Sequence, residues 1–222
     1  MKFFEYEKRD IYNYTVENFI NLYFKDSNID NYKYMFNKYL DKYINLCKNC
    51  NSNGYIAGGC FKDIFTNKTP NDYDIYFKTE EDYTKTFDYL YANKNFTFKE
   101  STSNSSKFID NETNAILNLV NIFYGDINSV LDKFDFTITK IAYDGEHIYC
   151  IEWFYEDLNS KLLCIENQKL LYPIQTLRRM FKYSRYGYNV ETESFITILN
   201  QIRTLNDNEY EDILNEIIYE EY

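Results

Sequence analysis

Two aspartates separated by one residue, Asp72 and Asp74, have the spacing that points most directly to chemistry. Apolar residues flank them, which is typical of a β-strand, and residues two apart on a strand point to the same face. Carboxylates held that close raise each other's pKa unless a cation lies between them. Mg²⁺ prefers oxygen ligands and is often held by carboxylates together with substrate phosphates. The pair therefore predicts a magnesium site, and two such ions would suit phosphoryl transfer.

The segment just before this pair is suited to a triphosphate. Residues 55–57 are predicted to form a short strand and residues 60–66 a helix, with Gly58 and Gly59 between them. Only residues without a Cβ form such a turn at little cost, and they let backbone N–H groups approach phosphate closely. The chemistry of the stretch thus predicts a nucleotide bound together with a metal ion.

Residues 55–77 resemble the head-domain motif of polymerase-β-type nucleotidyltransferases, and most closely that of tRNA CCA-adding enzymes and bacterial poly(A) polymerases. Their pattern is G-G-x-V-R-D-x-L-L-G-x-x-P-x-D-x-D, and the chain keeps its register at Gly58, Gly59, Phe61, Lys62, Asp63, Ile64, Phe65, Pro70, Asp72 and Asp74. Lys62 replaces an arginine and Asn67 replaces the third glycine. Asparagine tolerates left-handed backbone, so we expect the turn to survive. The resemblance implies NTP as substrate, two Mg²⁺ ions, and Asp72 and Asp74 as catalytic metal ligands.

A second segment, residues 134–144, resembles the family pattern R-R-D-F-T-I-N-A-x-A-Y-D. In the family it contacts the ribose and phosphates, and in the wider superfamily a third carboxylate on a neighbouring strand completes the metal site. The resemblance makes Asp135 the candidate catalytic third acid, with Asp110 as the alternative. Lys133 keeps one of the positive charges, and it is a candidate nucleotide-binding residue.

Residues 173–187 contain the main basic cluster and weakly resemble a third family segment. Its cations are Arg178, Arg179, Lys182 and Arg185, of which Arg178 and Arg185 match the family and become candidate nucleotide-binding residues. Contact with triphosphate or RNA and a solvated helix face are both open explanations. The triplet that reads the base in CCA-adding enzymes falls on Leu171, Tyr172 and Gln175. The family's selection of cytosine and adenine therefore does not carry over.

The remaining pattern predicts an α+β fold, with a small mixed or antiparallel sheet flanked by helices and a C-terminal helical segment. We expect N-terminal helices in residues 1–53, a nucleotidyltransferase head in 54–170 and a helical segment in 171–222. Hydrophobic periodicity or capping predicts helices over residues 9–24, 31–50, 80–93, 195–205 and 209–219. Strands are predicted at 95–101, 107–110 and 115–123, the last of them central.

Charge and cysteine content restrict the partners. The net charge is −11, which argues against a surface that holds long nucleic acid, and no DNA-specific binding is expected. Cys47 and Cys50 have metal-ligand spacing, but no second pair or nearby histidine completes a zinc site, so reduced thiols are expected. No apolar run approaches the about 20 residues of a membrane span. We expect a soluble cytoplasmic protein, and the Asn- and Tyr-rich composition suggests a virus, phage or AT-rich bacterium.

Three functions remain open from the sequence. The first is template-independent transfer of a nucleoside monophosphate to an RNA or tRNA 3′ end. The second is nucleotidylation of a protein or small molecule, and the third is a non-enzymatic interaction protein that retains the fold. In either enzyme, Gly58 and Gly59 would cradle the triphosphate. Lys62, with Lys133 or Arg178, would neutralise phosphate charge, while Asp63 would stabilise the helix or the nucleotide loop.

Overall fold

A computed structural model of the chain describes residues 10–24, 29–166 and 169–206, with nothing given for the side chain of Ile29. Within these ranges, no helix is both long enough and apolar enough to cross a membrane.

A mixed sheet of eight strands forms the centre of the described structure. In chain order the strands are β1 (Ile11–Thr15), β2 (Gly54–Ala57), β3 (Asp72–Phe77), β4 (Phe96–Ser101), β5 (Ser105–Asp110), β6 (Ile116–Val120), β7 (Ile141–Tyr143) and β8 (His147–Ile151). Their spatial order is β1-β8-β7-β2-β3-β6-β5-β4. Neighbours are antiparallel except β3 and β6, which are parallel. Two short strands, β9 (Leu162–Leu163) and β10 (Asn189–Val190), form a separate parallel pair.

Helices flank the sheet. They are α1 (Val16–Tyr23), α2 (Ile29–Phe36), α3 (Lys42–Asn49), α4 (Cys60–Phe65), α5 (Glu80–Ala92), α6 (Ile127–Leu131), α7 (Phe154–Ser160), α8 (Pro173–Arg185) and α9 (Thr192–Arg203). A π-helical turn at Asn37–Asp41 joins α2 to α3, so the helix predicted over 31–50 is confirmed with one irregular turn. At the start of α5, the Thr79 side chain accepts a hydrogen bond from the Asp82 amide at 3.2 Å, as the capping pattern predicted. The fold class predicted from the sequence is confirmed.

The N-terminal segment differs from its prediction. The single helix expected over residues 9–24 was wrong, because Ile11–Thr15 forms β1 and pairs antiparallel with β8. Four of the five residues of this segment are β-branched or aromatic, which favours a strand. The Thr15 side chain then caps α1 by accepting a hydrogen bond from the Asn18 amide at 3.2 Å. The helix predicted at 195–205 corresponds to α9. The helix predicted at 209–219 lies outside the described residues, and the domain boundaries stay a prediction.

The sheet has two different faces. Alternate residues of β3, namely Tyr73, Ile75 and Phe77, are at most 2% exposed and pack into the main core beneath the N-terminal helices. The other face carries a smaller apolar cluster that includes Tyr55, Tyr76 and the α6 residue Leu131. A cleft lies on this second face, between the sheet and residues of α8.

Asp110, the alternative third acid, has a structural role at the far end of β5. Its carboxylate accepts hydrogen bonds from Lys42 Nζ at 2.7 Å, Tyr43 Oη at 3.0 Å, Thr113 Oγ1 at 2.9 Å and the Glu112 amide at 3.0 Å. Burial alone would raise the pKa of Asp110, but these four partners outweigh it and hold the pKa below its ordinary value. The side chain thus ties α3 to the sheet.

Replacing Asp110 with Asn should destabilise the fold by about 2 kcal/mol near neutral pH, since the charged acceptor of a buried network is lost. A carboxyl with a lowered pKa stabilises the fold above its unfolded pKa of about 3.9 and loses this effect as pH falls through the folded value. The difference between wild type and variant should therefore shrink in acid. Urea denaturation of both proteins between neutral and acidic pH measures it.

Glu112→Gln is the matched control for this prediction. Glu112 also pairs with Lys42 Nζ at 2.7 Å, but its side chain is 80% exposed. An exposed partner contributes little, so we expect a change below about 0.5 kcal/mol. Equal losses from the two substitutions would contradict the role assigned to Asp110.

Candidate active site

Strand β3 places both aspartates of the central pair on one side of the sheet. Asp72, Asp74 and Tyr76 line a cleft, while the residues between them face the core. The two side chains therefore face the same side of the sheet, as their spacing predicted. Because the opposite face of β3 is fixed by the core, neither carboxylate can turn away from the cleft without shifting the strand.

Electrostatics at Asp74 favour a cation. Burial raises the pKa of the Asp74 carboxyl above its ordinary value, and the charge of Asp72 adds to the rise. A hydrogen bond from Asn118 Nδ2 to Asp74 Oδ1, at 2.9 Å, and the charge of Lys182 act in the opposite direction. A metal ion between the two carboxylates would offset their mutual repulsion and favour their charged form.

The glycine turn lies against this pair. Gly58 has a φ of +93°, which a residue with a side chain rarely adopts, and a Cβ there would lie 3.0 Å from Phe134 Cε1 and 3.9 Å from Asp74 Oδ2. Gly59 lines the cleft in ordinary helical geometry and begins α4. Asn67, in place of the family's glycine, does adopt left-handed backbone, with a φ of +55°. The turn at Gly58–Gly59 before α4 and the turn at Asn67 after it therefore both have the backbone geometry that the sequence predicted.

The cleft is also lined by Lys62 and Asp63, which follow the glycine turn, and by Lys133, which precedes residues 134–144. Lys62 and Asp63 form an ion pair, and Lys62 Nζ lies 5.5 Å from the centre of the Tyr186 ring. Lys133 Nζ lies 4.2 Å from the centre of the Phe123 ring. Both lysines thus bring positive charge to the cleft wall next to aromatic surface.

Asp135 lies in the cleft, but both of its carboxylate oxygens already accept hydrogen bonds from other residues. Arg179 contacts Asp135 Oδ2 through Nε at 2.6 Å and Nη2 at 2.5 Å, and the Phe136 amide donates to Oδ1 at 2.9 Å. These contacts favour a role in holding Arg179 over direct binding of a metal ion. The alternative acid, Asp110, does not line the cleft.

Helix α8 presents a different set of cations from the one predicted. Gln175, Arg179 and Lys182 line the cleft, whereas Arg178 and Arg185 do not. Arg178 Nη1 instead donates to Gln175 Oε1 at 3.3 Å. All three positions aligned with the base-reading triplet of CCA-adding enzymes, Leu171, Tyr172 and Gln175, line the cleft.

The whole cleft is large and locally basic. Its volume is about 1060 Å³, at the upper end for small-molecule sites. Seven lysine or arginine residues line it against four aspartates, whereas the chain as a whole has a net charge of −11. The cleft is therefore the part of the described structure best suited to a polyanionic ligand.

The residues present fit a divalent ion held jointly with a substrate. In the described part of the chain, no three His, Cys, Asp or Glu side chains come together as a metal site. Asp72 and Asp74 would supply two carboxylates, and the buried Asn118 Oδ1, which has no hydrogen-bond partner among the described residues, offers a further oxygen. Substrate phosphates would complete such a coordination shell.

Sequence reasoning missed Asn118, Arg179 and Lys182 as cleft residues. Asn118 reaches Asp74 only through the pairing of β6 with β3, a contact between distant segments. The rotation of α8 selects Arg179 and Lys182, and the basic cluster was visible without its orientation. Phe134 stands where the pattern that residues 134–144 resemble has an arginine, and its packing near Gly58 could not be predicted from the sequence.

A family model described as Gabija anti-defense 2 family protein matches residues 11–161 of the 222-residue chain. The chain belongs to this family. One relative, a protein of Bacillus phage SPbetaL7 named Gabija anti-defense 2, is 27% identical over 164 residues. That match covers 73% of the chain but 40% of the relative, so the chain spans about two-fifths of the relative's length. The phage source of this relative agrees with one of the three sources that composition suggested, which were a virus, a phage or an AT-rich bacterium.

Solved structures similar to the chain include CCA-adding enzymes. One, a CCA-adding enzyme in complex with ATP, has a TM-score of 0.62 at 12% identity and covers 93% of the chain and 51% of its own length. The Thermotoga maritima CCA-adding enzyme in complex with tRNA has a TM-score of 0.55 at 13% identity and covers 86% of the chain and 46% of its own length. At such identities the similarity shows the nucleotidyltransferase fold alone.

Gly59→Val should weaken ATP binding without unfolding the protein. A Cβ at Gly59 would meet Tyr183 Oη at 3.8 Å, an ordinary contact, so the fold has room for a side chain. The new methyl groups would occupy the space through which phosphate approaches the backbone, and we expect about a tenfold rise in Kd, or 1.4 kcal/mol. Calorimetric titration with ATP and Mg²⁺ measures the change.

Gly58→Ala separates backbone strain from phosphate approach. Gly58 has left-handed geometry, so an alanine should cost about 1–2 kcal/mol of folding stability. We expect this loss in thermal unfolding of Gly58→Ala and not of Gly59→Val. A folded Gly59→Val protein with the Kd of wild type would argue against the phosphate-binding turn.

Asp135→Asn should weaken ATP binding through Arg179. The substitution removes the charged partner of the Arg179 guanidinium, so the side chain loses its fixed position in the cleft. We expect the Kd for ATP to rise about tenfold, as for other residues that orient a ligand-binding group, and Arg179→Gln to match it. The Kd for Mn²⁺ measured without nucleotide should stay unchanged. Weaker Mn²⁺ binding would instead identify Asp135 as a metal ligand.

Proposed function

We propose that the chain is a metal-dependent nucleotidyltransferase that moves a nucleoside monophosphate from an NTP to an acceptor hydroxyl. The observation that carries the proposal is the pair Asp72 and Asp74, which faces a basic cleft beside a glycine turn. A paired acid site in an otherwise basic cavity suits a triphosphate and its metal ions better than it suits a neutral ligand.

In this reaction the acceptor oxygen forms a bond to the α-phosphorus, and the bond from that phosphorus to the bridging oxygen breaks. Pyrophosphate leaves, and the hydroxyl proton is released to solvent. Bound divalent ions would supply charge stabilisation for the attacking and leaving oxygens. Asp72 and Asp74 would hold them, while the Gly58–Gly59 backbone would position the triphosphate.

Cations around the cleft would neutralise the phosphates. Lys68, Lys133, Lys161 and Lys182 line the cleft without an ion pair in the described part of the chain. Lys62 and Arg179 are already paired with aspartates, so their geometry is fixed before a ligand arrives. This combination would hold a polyanion without a large reorganisation of the cleft.

Two acceptor classes follow from different observations. The solved CCA-adding enzyme in complex with tRNA favours an RNA 3′ end. The net charge of −11 favours a protein hydroxyl, because an acidic surface repels RNA. The name of the phage relative adds a biological setting, in which the acceptor belongs to the Gabija defence or to its substrates.

The double substitution Asp72→Asn and Asp74→Asn should abolish transfer by at least about a thousandfold, since both charged metal ligands are lost. The protein should still fold, and the removal of charge repulsion should preserve or raise its Tm without metal. Incubation with each α-labelled NTP, in separate RNA and protein fractions of a cell extract, measures transfer and identifies the acceptor.

Asp88→Asn is the matched control, because Asp88 is exposed on α5 and does not line the cleft. It should transfer label as wild type does. Label retained by the double variant would refute the proposal. Label in the RNA fraction alone, or in the protein fraction alone, decides between the two acceptors.

Counter-defence should depend on the same two aspartates. If the chain acts as its family name states, its expression should restore phage plating on cells that carry Gabija, and the double variant should plate like the empty vector. Efficiency of plating, with equal expression checked by immunoblot, measures this. A double variant that protects as well as wild type would favour a non-enzymatic interaction protein.

A further inference from the structure

Asn118 lies beside Asp74 because of the parallel pairing between β3 and β6. The register places Asp74 opposite Asn118, and the next strand places Lys107 opposite Asn118. Asn118 and Lys107 line the cleft together with Asp74. The sheet therefore sets an amide between a carboxylate and a cation on the cleft face.

The two ends of the Asn118 amide have different environments. Nδ2 donates to Asp74 Oδ1 at 2.9 Å, and this bond fixes the amide orientation, since a flipped amide would place its oxygen against the carboxylate. The oxygen, Oδ1, is inaccessible to solvent and has no hydrogen-bond partner in the described part of the chain. A buried carbonyl oxygen without a donor is costly, and such an atom on an amide that contacts the Asp74 carboxylate is suited to a cation.

We propose that Asn118 is the third protein ligand of the divalent-cation site, with Oδ1 bound to the ion and Nδ2 holding Asp74 in place. The proposal rests on the proposed function in taking the cation site at Asp72 and Asp74 from it. It assigns the third position to a neutral carboxamide on β6, in place of Asp135 or Asp110.

A neutral third ligand changes the charge of the site. Two carboxylates and one carboxamide carry two negative charges, so two divalent ions would exceed the protein charge and would depend on the phosphates of the nucleotide. Affinity for a divalent ion rises with the charge of its oxygen ligands. The site should therefore bind Mn²⁺ weakly on its own and much more tightly with an NTP.

The test is Mn²⁺ binding by electron paramagnetic resonance, with and without a non-hydrolysable ATP analogue. Asn118→Leu should raise the Mn²⁺ Kd about tenfold, because it removes both the oxygen and the donor to Asp74. Asn118→Asp should lower the Kd, since it adds a charged oxygen at the same position. Without metal, Asn118→Asp should also reduce the Tm by carboxylate repulsion, and Mn²⁺ should restore it beyond the shift seen in wild type.

Asn121 provides the matched control. It lies just after β6, its Oδ1 is also buried without a partner among the described residues, and it does not line the cleft. Asn121→Leu and Asn121→Asp should leave the Mn²⁺ Kd unchanged. If Asn118→Leu binds Mn²⁺ as wild type does, or if Asn118→Asp weakens binding, Asn118 is not a ligand.

The measurement is independent of nucleotide transfer. Mn²⁺ binding that requires Asn118 in a protein that transfers no label would support this inference and refute the proposed function. Transfer of label by a protein whose Mn²⁺ Kd is unchanged by substitution of Asn118 would support the proposed function and refute this inference.

Discussion

The placement of two carboxylates on one face of strand β3 is the constraint on which the candidate site depends. Asp72 and Asp74 cannot separate, because the alternate residues of β3 are fixed in the core. Without a ligand, two interactions stabilise the charged form of Asp74, namely the hydrogen bond from Asn118 and the charge of Lys182. The pKa of Asp74 nevertheless stays above its ordinary value, mainly because the carboxyl is buried, and a bound cation would offset this effect.

Local rules recovered the features of the site that depend on neighbours in sequence. The common face of Asp72 and Asp74, the left-handed Asn67 and the Thr79 cap all follow from backbone geometry over a few residues. Most of the strands and helices of the head followed in the same way. Outside the head, Ile11–Thr15 was expected to be part of a helix, but it forms β1, and its pairing with β8 decides its conformation.

Features that depend on contacts between distant segments could not be predicted from the sequence. Asn118 matters because β6 lies parallel to β3 in one register, and no local pattern specifies that register. Arg179 and Lys182 matter because α8 packs with one particular face toward the cleft. The apolar residues of α8 indicate which side is buried, but only the folded structure shows which of its cations then line the cleft. Asp135 was found as a cleft residue, but only its pairing with Arg179 indicates what it does there.

Net charge predicted an outer surface unsuited to long nucleic acid, but it did not predict a basic cleft. An acidic chain can still concentrate lysine and arginine around one cavity, since electrostatic potential depends on where charges lie and less on their sum. The acids that outnumber them lie mainly elsewhere, for example in the first turn of α5. An anionic ligand is thus attracted to one concave region and repelled by much of the remaining exterior.

The pairing of β1 with β8 also imposes an order on folding during synthesis. Ile11–Thr15 leaves the ribosome long before His147–Ile151, so this edge of the sheet cannot close until most of the head has been made. Strands β3 to β6 are closer in sequence, and the half of the sheet with both aspartates can assemble first. Until β8 is made, residues 11–15 of the nascent protein therefore lack their strand partner, and a chaperone or another strand can bind them.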